Sequence, residues 1–143
     1  MLFLGTYYHS LDDKNRLNLP AKLANKFEGI LVLSKGFEGC LEMRTKTDFE
    51  HRSSQLLALS ENKKDSRIIA RQFFANSSEL EIDKANRILI PNHLKQLANL
   101  EKELIIIGLG NKLEVWDVNK YNEFKNQTDS QFESVAERLE DNA

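Results

Sequence analysis

The sequence is poor in the residues that mark several classes of protein. Its 143 residues include one cysteine, two prolines and six glycines. A single cysteine excludes an intrachain disulfide and fits a reducing compartment, and so little glycine and proline excludes collagen-like and low-complexity chains. The longest aliphatic runs, such as residues 104–107, have four residues, whereas a membrane span needs about 18. The first residues lack the basic segment and apolar core of a secretory signal. We therefore expect a cytoplasmic globular protein without a membrane-spanning segment.

A strong excess of positive charge, common in nucleic-acid-binding domains, is also absent. The formal net charge is −2. Its distribution is uneven, because residues 128–143 carry −4 and residues 1–127 carry +2. The most basic segment, residues 51–71, has five basic and two acidic side chains. Charge alone therefore gives DNA binding only modest support.

An internal repeat is the most informative feature of the sequence. Residues 11–23 and 82–94 are identical at five of thirteen positions, and three further positions exchange Leu for Ile. Ordinary composition gives about one identity by chance. The match resumes at Gly36 and Gly108 and continues to Glu42 and Glu114. Two copies about 70 residues apart predict a duplicated, pseudo-two-fold unit, since a solenoid needs three or more repeats.

Hydrophobic periodicity predicts a mainly β fold with short helices. In each copy a strand, a polar turn and an alternating strand form a β-hairpin, proline then starts a short helix, and two more strands follow. Thr47 and Asn119 are predicted to cap the next helices. The predicted organisation is a first unit at 5–47, a helical connector at 48–75, a second unit at 76–119, and a C-terminal helix with an acidic tail at 120–143.

The acidic segment 128–143 has a helical pattern but few apolar positions. Such a helix is marginal on its own, so it docks weakly or frays. We expect self-assembly to use hydrophobic and hairpin surfaces, and not this segment.

Residues that carry catalysis are hard to find. His9, His51 and His93 share no metal-binding spacing, and none recurs in the repeat. Cys40 lies in a strand pattern, which indicates a packed thiol. Residues 108–110 resemble part of a phosphate loop but lack its third glycine and helix, so a hairpin turn is expected. We therefore expect no enzyme activity, no metal, no cofactor and no small-molecule substrate.

The motif Asp-x-x-Asn-Arg is what recurs. Asp12 and Asp83 open the two turns, where a carboxylate accepts backbone N–H groups, and Arg16 and Arg87 close them. One interpretation is structural: each arginine serves only to brace its own aspartate. The other is that the aspartate orients a guanidinium toward an external ligand. Donors suited to phosphates and guanine edges then comprise Lys14, Asn15, Arg16, Lys84, Asn86 and Arg87. Lys22, Lys26 and Lys95 either extend this positive surface or are ordinary solvated side chains.

The segment Phe-Leu-Gly-x-Tyr-x-His-x-Leu-Asp-Asp-Lys-x-Arg-Leu-x-Leu-Pro, residues 3–20, resembles the MraZ family. So do the second Asp-x-x-x-Arg with Ile-Leu-Ile-Pro at 83–91, and residues 107–111. The resemblance covers about residues 1–125. It implies an AbrB-like fold in which two tandem hairpin units interleave in one swapped-hairpin β-barrel. Asn15 and Asn86 stand where the family often has glycine, and asparagine also tolerates positive φ.

The resemblance also implies a function. It indicates a bacterial, nucleoid-associated transcriptional regulator. Such a regulator binds repeated DNA elements upstream of its own gene, which lies in a division and cell-wall cluster. The resemblance further implies that the protein assembles as a ring-shaped homo-oligomer. The family's hallmark motif falls on Asp12 and Arg16, and on Asp83 and Arg87. Two other interpretations stay open. One is a ring-forming scaffold whose arginines only brace the hairpins. The other is an antitoxin-like module, although the expected long partner-wrapping tail is missing.

Overall fold

The computed structural model describes residues 2–141. Within this range all eight strands pair antiparallel. The strands are β1 Thr6–Ser10, β2 Arg16–Asn18, β3 Ile30–Lys35, β4 Leu41–Arg44, β5 Ser77–Glu81, β6 Arg87–Leu89, β7 Glu103–Gly108 and β8 Leu113–Asp117. The α-helices are α1 Ala21–Ala24, α2 Lys46–Leu57, α3 Lys64–Phe74, α4 Asn92–Leu97, α5 Val118–Thr128 and α6 Phe132–Asp141. This confirms a mainly β fold with short helices and a C-terminal helical region.

The strands of the two repeats interleave. The larger sheet has the order β1-β7-β8-β4-β3-β5, and the smaller one pairs β2 with β6. The first strand of each repeat therefore pairs with the third strand of the other: β1 with β7, and β5 with β3. The prediction that β1 and β2 pair along their length as a hairpin is wrong, because a single isolated bridge, between Leu11 and Leu17, joins the two segments. Beyond it they diverge, since β1 forms a five-residue register with β7.

Both sheets contribute to one core. The alternation in β2 and β6 turns Leu17 and Ile88 inward, where they are 0% and 1% exposed. They meet apolar residues from β3, β4, β7, β8 and the short helices α1 and α4. A second, smaller cluster lies under α5, where Trp116 contacts Tyr121 and Phe124. Burying this apolar surface is the main term that stabilises the fold.

The helices after β4 and β8 are capped by residues other than those predicted. Thr45 Oγ1 accepts a hydrogen bond from Asp48 N at 3.1 Å. Asp117 Oδ2 accepts from Asn119 N at 3.1 Å. The predictions of Thr47 and Asn119 as caps are wrong, because each is the second residue of its helix, two positions after the capping residue. The extended backbone of the preceding strand continues to Thr45 and Asp117, which therefore occupy the capping position.

One group of charges is buried between the sheet and the helices. Glu42 and Arg44 are 3% and 4% exposed. Glu42 Oε1 lies 2.8 Å from Arg44 Nη1, and Oε2 lies 2.9 Å from Lys112 Nζ. Both carboxylate oxygens are thus paired, as a buried charge requires. Among residues 2–141 no helix is long and apolar enough to cross a membrane.

Candidate nucleic-acid interface

The first Asp-x-x-Asn-Arg turn is held together by its aspartate. Asp12 Oδ1 accepts from the backbone N–H groups of Lys14 and Arg16, both at 2.9 Å. Asp12 Oδ2 accepts from Arg16 Nε at 2.7 Å. The backbone closes the same turn, since Asn15 N donates to Asp12 O at 3.1 Å. The predicted bonding of the aspartate across its turn is confirmed.

The second turn repeats this geometry. Asp83 Oδ1 accepts from Ala85 N and Arg87 N at 2.9 Å, and Oδ2 accepts from Arg87 Nε at 2.9 Å. Asn86 N donates to Asp83 O at 3.0 Å. Two segments 71 positions apart therefore build the same local structure from the same residue types.

These hydrogen bonds change the acidity of both aspartates. The pKa of Asp12 is lowered from its ordinary value of 3.8, chiefly by the hydrogen bond from the backbone of Arg16. The pKa of Asp83 is lowered in the same way by the backbone of Arg87. Each carboxylate therefore stays ionised, and able to hold its arginine, throughout the physiological range.

The asparagine of each motif adopts the left-handed conformation. Asn15 has φ 61° and Asn86 has φ 62°, a region that asparagine and glycine enter most readily. This conformation lets each turn bond to the other repeat: Asn15 O accepts from Ile90 N at 2.9 Å, and Asn86 O accepts from Leu19 N at 2.8 Å. The two turns are thereby fixed at the two ends of the β2–β6 ribbon.

Strand pairing places the two arginines on one face of this ribbon. In the register, Arg16 lies opposite Leu89, Leu17 opposite Ile88, and Asn18 opposite Arg87. Because residues two apart on a strand share a face, Arg16 and Arg87 project from the side opposite the buried Leu17–Ile88 pair. As diagonal neighbours in an antiparallel pair, their Cα atoms are about 7–8 Å apart.

Each guanidinium keeps donors for an external ligand. Arg16 and Arg87 are bonded to their aspartates through Nε. Arginine has five N–H donors, and within residues 2–141 the Nη groups of these two side chains make no hydrogen bond to protein. Their side chains are 32% and 36% exposed. The aspartate thus orients the arginine while the other edge of the guanidinium stays accessible.

The lysines near the turns differ in their surroundings. Lys14 and Lys84 are exposed on the turns, and Lys22 is exposed on α1. Lys26 bonds to the backbone of Leu2 and lies over the Phe3 ring, and Lys95 Nζ donates to Asn15 Oδ1 at 2.9 Å. The last two lysines therefore stabilise the protein itself and add less to an external positive surface.

Two further candidates were not identified from the sequence. Asn18 and Leu89 lie on the same exposed face as the arginines, and Leu89 is 59% exposed. The alternation in each strand indicated which residues point outward, but not that β2 and β6 pair. An apolar side chain at this position is suited to a thymine methyl group.

The residues considered for catalysis lie on separate elements: His9 on β1, His51 on α2, His93 on α4, and Cys40 just before β4. Cys40 is 2% exposed, as a packed thiol should be, and burial raises its pKa. Burial lowers the pKa of His9. Residues 2–141 contain no group of three or more His, Cys, Asp or Glu side chains arranged to hold a metal ion.

Comparison with known proteins identifies close relatives. A family model described as "MraZ protein, putative antitoxin-like" matches residues 2–72 and again residues 73–143. The protein named transcriptional regulator MraZ of Mesoplasma florum is 49% identical over 97% of this chain and 96% of its own length. Those of Mycoplasmoides gallisepticum and Heliobacterium modesticaldum are 45% and 37% identical, each over 98% of this chain and over 99% and 98% of their own lengths. The chain therefore belongs to the MraZ family.

Proposed function

We propose that this protein is a DNA-binding transcriptional regulator, not an enzyme, and that its two Asp-x-x-Asn-Arg turns read double-stranded DNA. The units at 5–47 and 76–119 each supply one turn. The contacting set is Lys14, Asn15, Arg16, Lys84, Asn86 and Arg87, with Asp12 and Asp83 bracing the turns. The family and the names of the relatives support the regulatory part of this proposal.

The placement of Arg16 and Arg87 is the observation that carries the DNA interface. A two-stranded antiparallel ribbon fits the major groove of B-DNA, and arginine is the side chain that most often reads guanine there. Arg16 and Arg87 stand on the exposed face of such a ribbon, each oriented by a carboxylate. Lys14 and Lys84, at the ends of the ribbon, are placed to contact phosphates, which set the register of a protein on the duplex.

Multivalent binding supplies the affinity in this proposal. One subunit has few basic side chains on this face, and its residues 1–127 carry a net charge of only +2. A ring of several subunits on several DNA repeats gains about 10²–10⁴-fold through effective concentration, if the geometry permits simultaneous contact. The repeats lie upstream of the protein's own gene in the division and cell-wall cluster, and the protein works in the cytoplasm on the nucleoid.

Footprinting on the upstream region of the protein's own gene tests this function. We expect protection of several short elements with regular spacing, and much weaker binding to a scrambled duplex of the same length and composition. Equal binding to both duplexes would contradict sequence-specific recognition.

The scaffold interpretation is favoured by one observation, the direct ion pairs of Arg16 with Asp12 and Arg87 with Asp83. If these arginines only brace the turns, the protein still assembles but does not select its own upstream DNA. The same footprinting experiment therefore separates the scaffold from the regulator.

A further inference from the structure

Helix α6 has an apolar face that the rest of residues 2–141 leaves uncovered. Phe132, Val135, Ala136 and Leu139 lie at helical spacing and line an open groove along one side of the helix. Phe132 is 78% exposed and Leu139 is 69% exposed. A stripe of this kind on a helix normally faces a core. Two large side chains left in water so close together therefore indicate a docking surface.

The charge of α6 restricts what can cover this face. Glu133, Glu137 and Glu140 are exposed beside the stripe, and residues 128–143 carry −4. A second α6 is a poor partner, because like charges at short range destabilise a contact. The complementary surface has exposed apolar side chains surrounded by basic ones.

Helices α2 and α3 present such a surface. Leu57, Leu59 and Ile68 are 67%, 46% and 45% exposed. A groove of about 90 Å³ between the end of α2 and α3 is lined by three leucines and Ala70, with Glu61, Ser66 and Arg67 at its polar sides. Residues 61–71 carry four basic side chains, Lys63, Lys64, Arg67 and Arg71, against the two acidic ones of Glu61 and Asp65, a net charge of +2. Lys64 and Arg71 lie four and three positions from Ile68, so they flank it on the helix surface.

We propose that α6 of one copy docks on the α2–α3 surface of a second copy. The apolar stripe covers the exposed leucines and Ile68, and the glutamates face the basic side chains. Because the two surfaces differ, the contact either repeats head-to-tail, which gives a ring when the rotation closes and a filament when it does not, or is made reciprocally in a two-fold dimer. This proposal departs from the sequence-based expectation that residues 128–143 are dispensable for assembly.

Sedimentation velocity without DNA tests the contact, so its outcome is independent of the DNA interface. The variant pairs are Glu133→Lys with Glu137→Lys on α6, and Arg67→Glu with Arg71→Glu on α3. Each pair should weaken association by at least about tenfold, since close charge pairs at interfaces are coupled, and combining all four changes should restore it. Glu101→Lys with Glu123→Lys makes the same charge change on other exposed positions and should leave association unchanged.

The apolar part is tested with Phe132→Ser and Leu139→Ser, with Leu109→Ser as the control at another exposed leucine. All these residues are exposed, so circular dichroism and thermal unfolding should match the wild type. The proposal is overturned by a monomeric wild type, or by variants that assemble normally. It is also overturned if the lysine substitutions on α6 strengthen association, because that outcome identifies a contact between two α6 helices.

Discussion

At the scale of single residues, the left-handed asparagines decide whether the turns can form. Asn86 has φ 62°, and its carbonyl bonds to Leu19 of the other repeat. The residue type could be predicted to tolerate this conformation, and the structure shows that the conformation is used to join the repeats. A residue that avoids positive φ would strain both the turn and this contact between repeats.

We therefore expect Asn86→Val to lower the free energy of unfolding by about 1–2 kcal/mol, because a β-branched side chain is strained in the left-handed region that asparagine tolerates. Asn86→Gly is the matched control and should be close to neutral, because glycine enters this region freely. Urea unfolding of the three proteins measures the difference. Equal losses for valine and glycine would show that the backbone conformation is not the cause.

The aspartates give the turns a pH dependence. The pKa values of Asp12 and Asp83 are lowered on folding below the ordinary 3.8. A lowered pKa contributes stability that is fully present above the unfolded value and is lost as the pH falls through the folded value. Wild type should thus exceed the Asp12→Asn, Asp83→Asn variant in thermal stability at pH 6, and the gap should close below about pH 3.8. A gap that stays constant down to pH 2.5 would contradict this assignment.

At the scale of elements, hydrophobic periodicity was sufficient to predict where the strands lie in the sequence. It was insufficient to predict which strands pair with each other. The alternation around Arg16 and Arg87 predicted two half-buried strands, and both are present. The pairing of β2 with β6 joins segments about 70 residues apart, and alternation along one strand carries no information about its neighbour. The common exposed face of the two arginines follows from that pairing, so it could not be predicted locally.

The buried charges on β4 show a second structural feature that the sequence pattern alone did not predict. Glu42 and Arg44 alternate with Leu41 and Met43, a pattern that indicates an outward-facing polar side. In the structure α2 and α3 cover this side, and all four residues are buried. The match of Glu42 with Glu114 in the repeat was the only indication of a structural role.

Removing one partner of this buried pair should be costly. Glu42→Ala removes the 2.8 Å carboxylate partner of Arg44 and leaves its buried guanidinium beside Ser34 Oγ at 3.4 Å. We expect a loss of about 3–5 kcal/mol in the free energy of unfolding, typical of an uncompensated buried charge. The double variant Glu42→Leu, Arg44→Met should lose less, because both charges are removed. Denaturant unfolding compares them, and a larger loss in the double variant would contradict the account.

At the scale of the whole molecule, duplication builds one pseudo-symmetric ribbon, β2 paired with β6, from a single chain. The register of β2 and β6 is symmetric about the Leu17–Ile88 pair, so the two turns are related by a pseudo-two-fold axis. The repeats differ outside this region. In the first, α3 covers the sheet with Phe73 stacked on Phe49 at 5.2 Å, whereas α6 in the second leaves its apolar face exposed.

The weak positive charge of residues 1–127 predicts how salt affects DNA binding. For each tenfold rise in salt concentration, the logarithm of the binding constant for duplex DNA falls by about 0.9 per phosphate neutralised. One subunit on a one-repeat duplex should show a shallow slope and low affinity, and an assembly on a three-repeat duplex should show a slope several-fold steeper. Titrations at several salt concentrations measure both slopes. Identical slopes and affinities would exclude multivalent binding, even if the protein binds DNA.

The most direct test of the central claim is operator binding by the Arg16→Ala, Arg87→Ala double variant. Its matched control is Lys46→Ala, Lys125→Ala, which removes two exposed cations that also lie beside carboxylates, at 3.4 and 3.5 Å. We predict that the arginine variant folds and assembles normally but loses about 1–3 kcal/mol of specific binding for each engaged turn, while the control binds as the wild type does. A folded arginine variant that binds its operator with wild-type affinity would contradict the account.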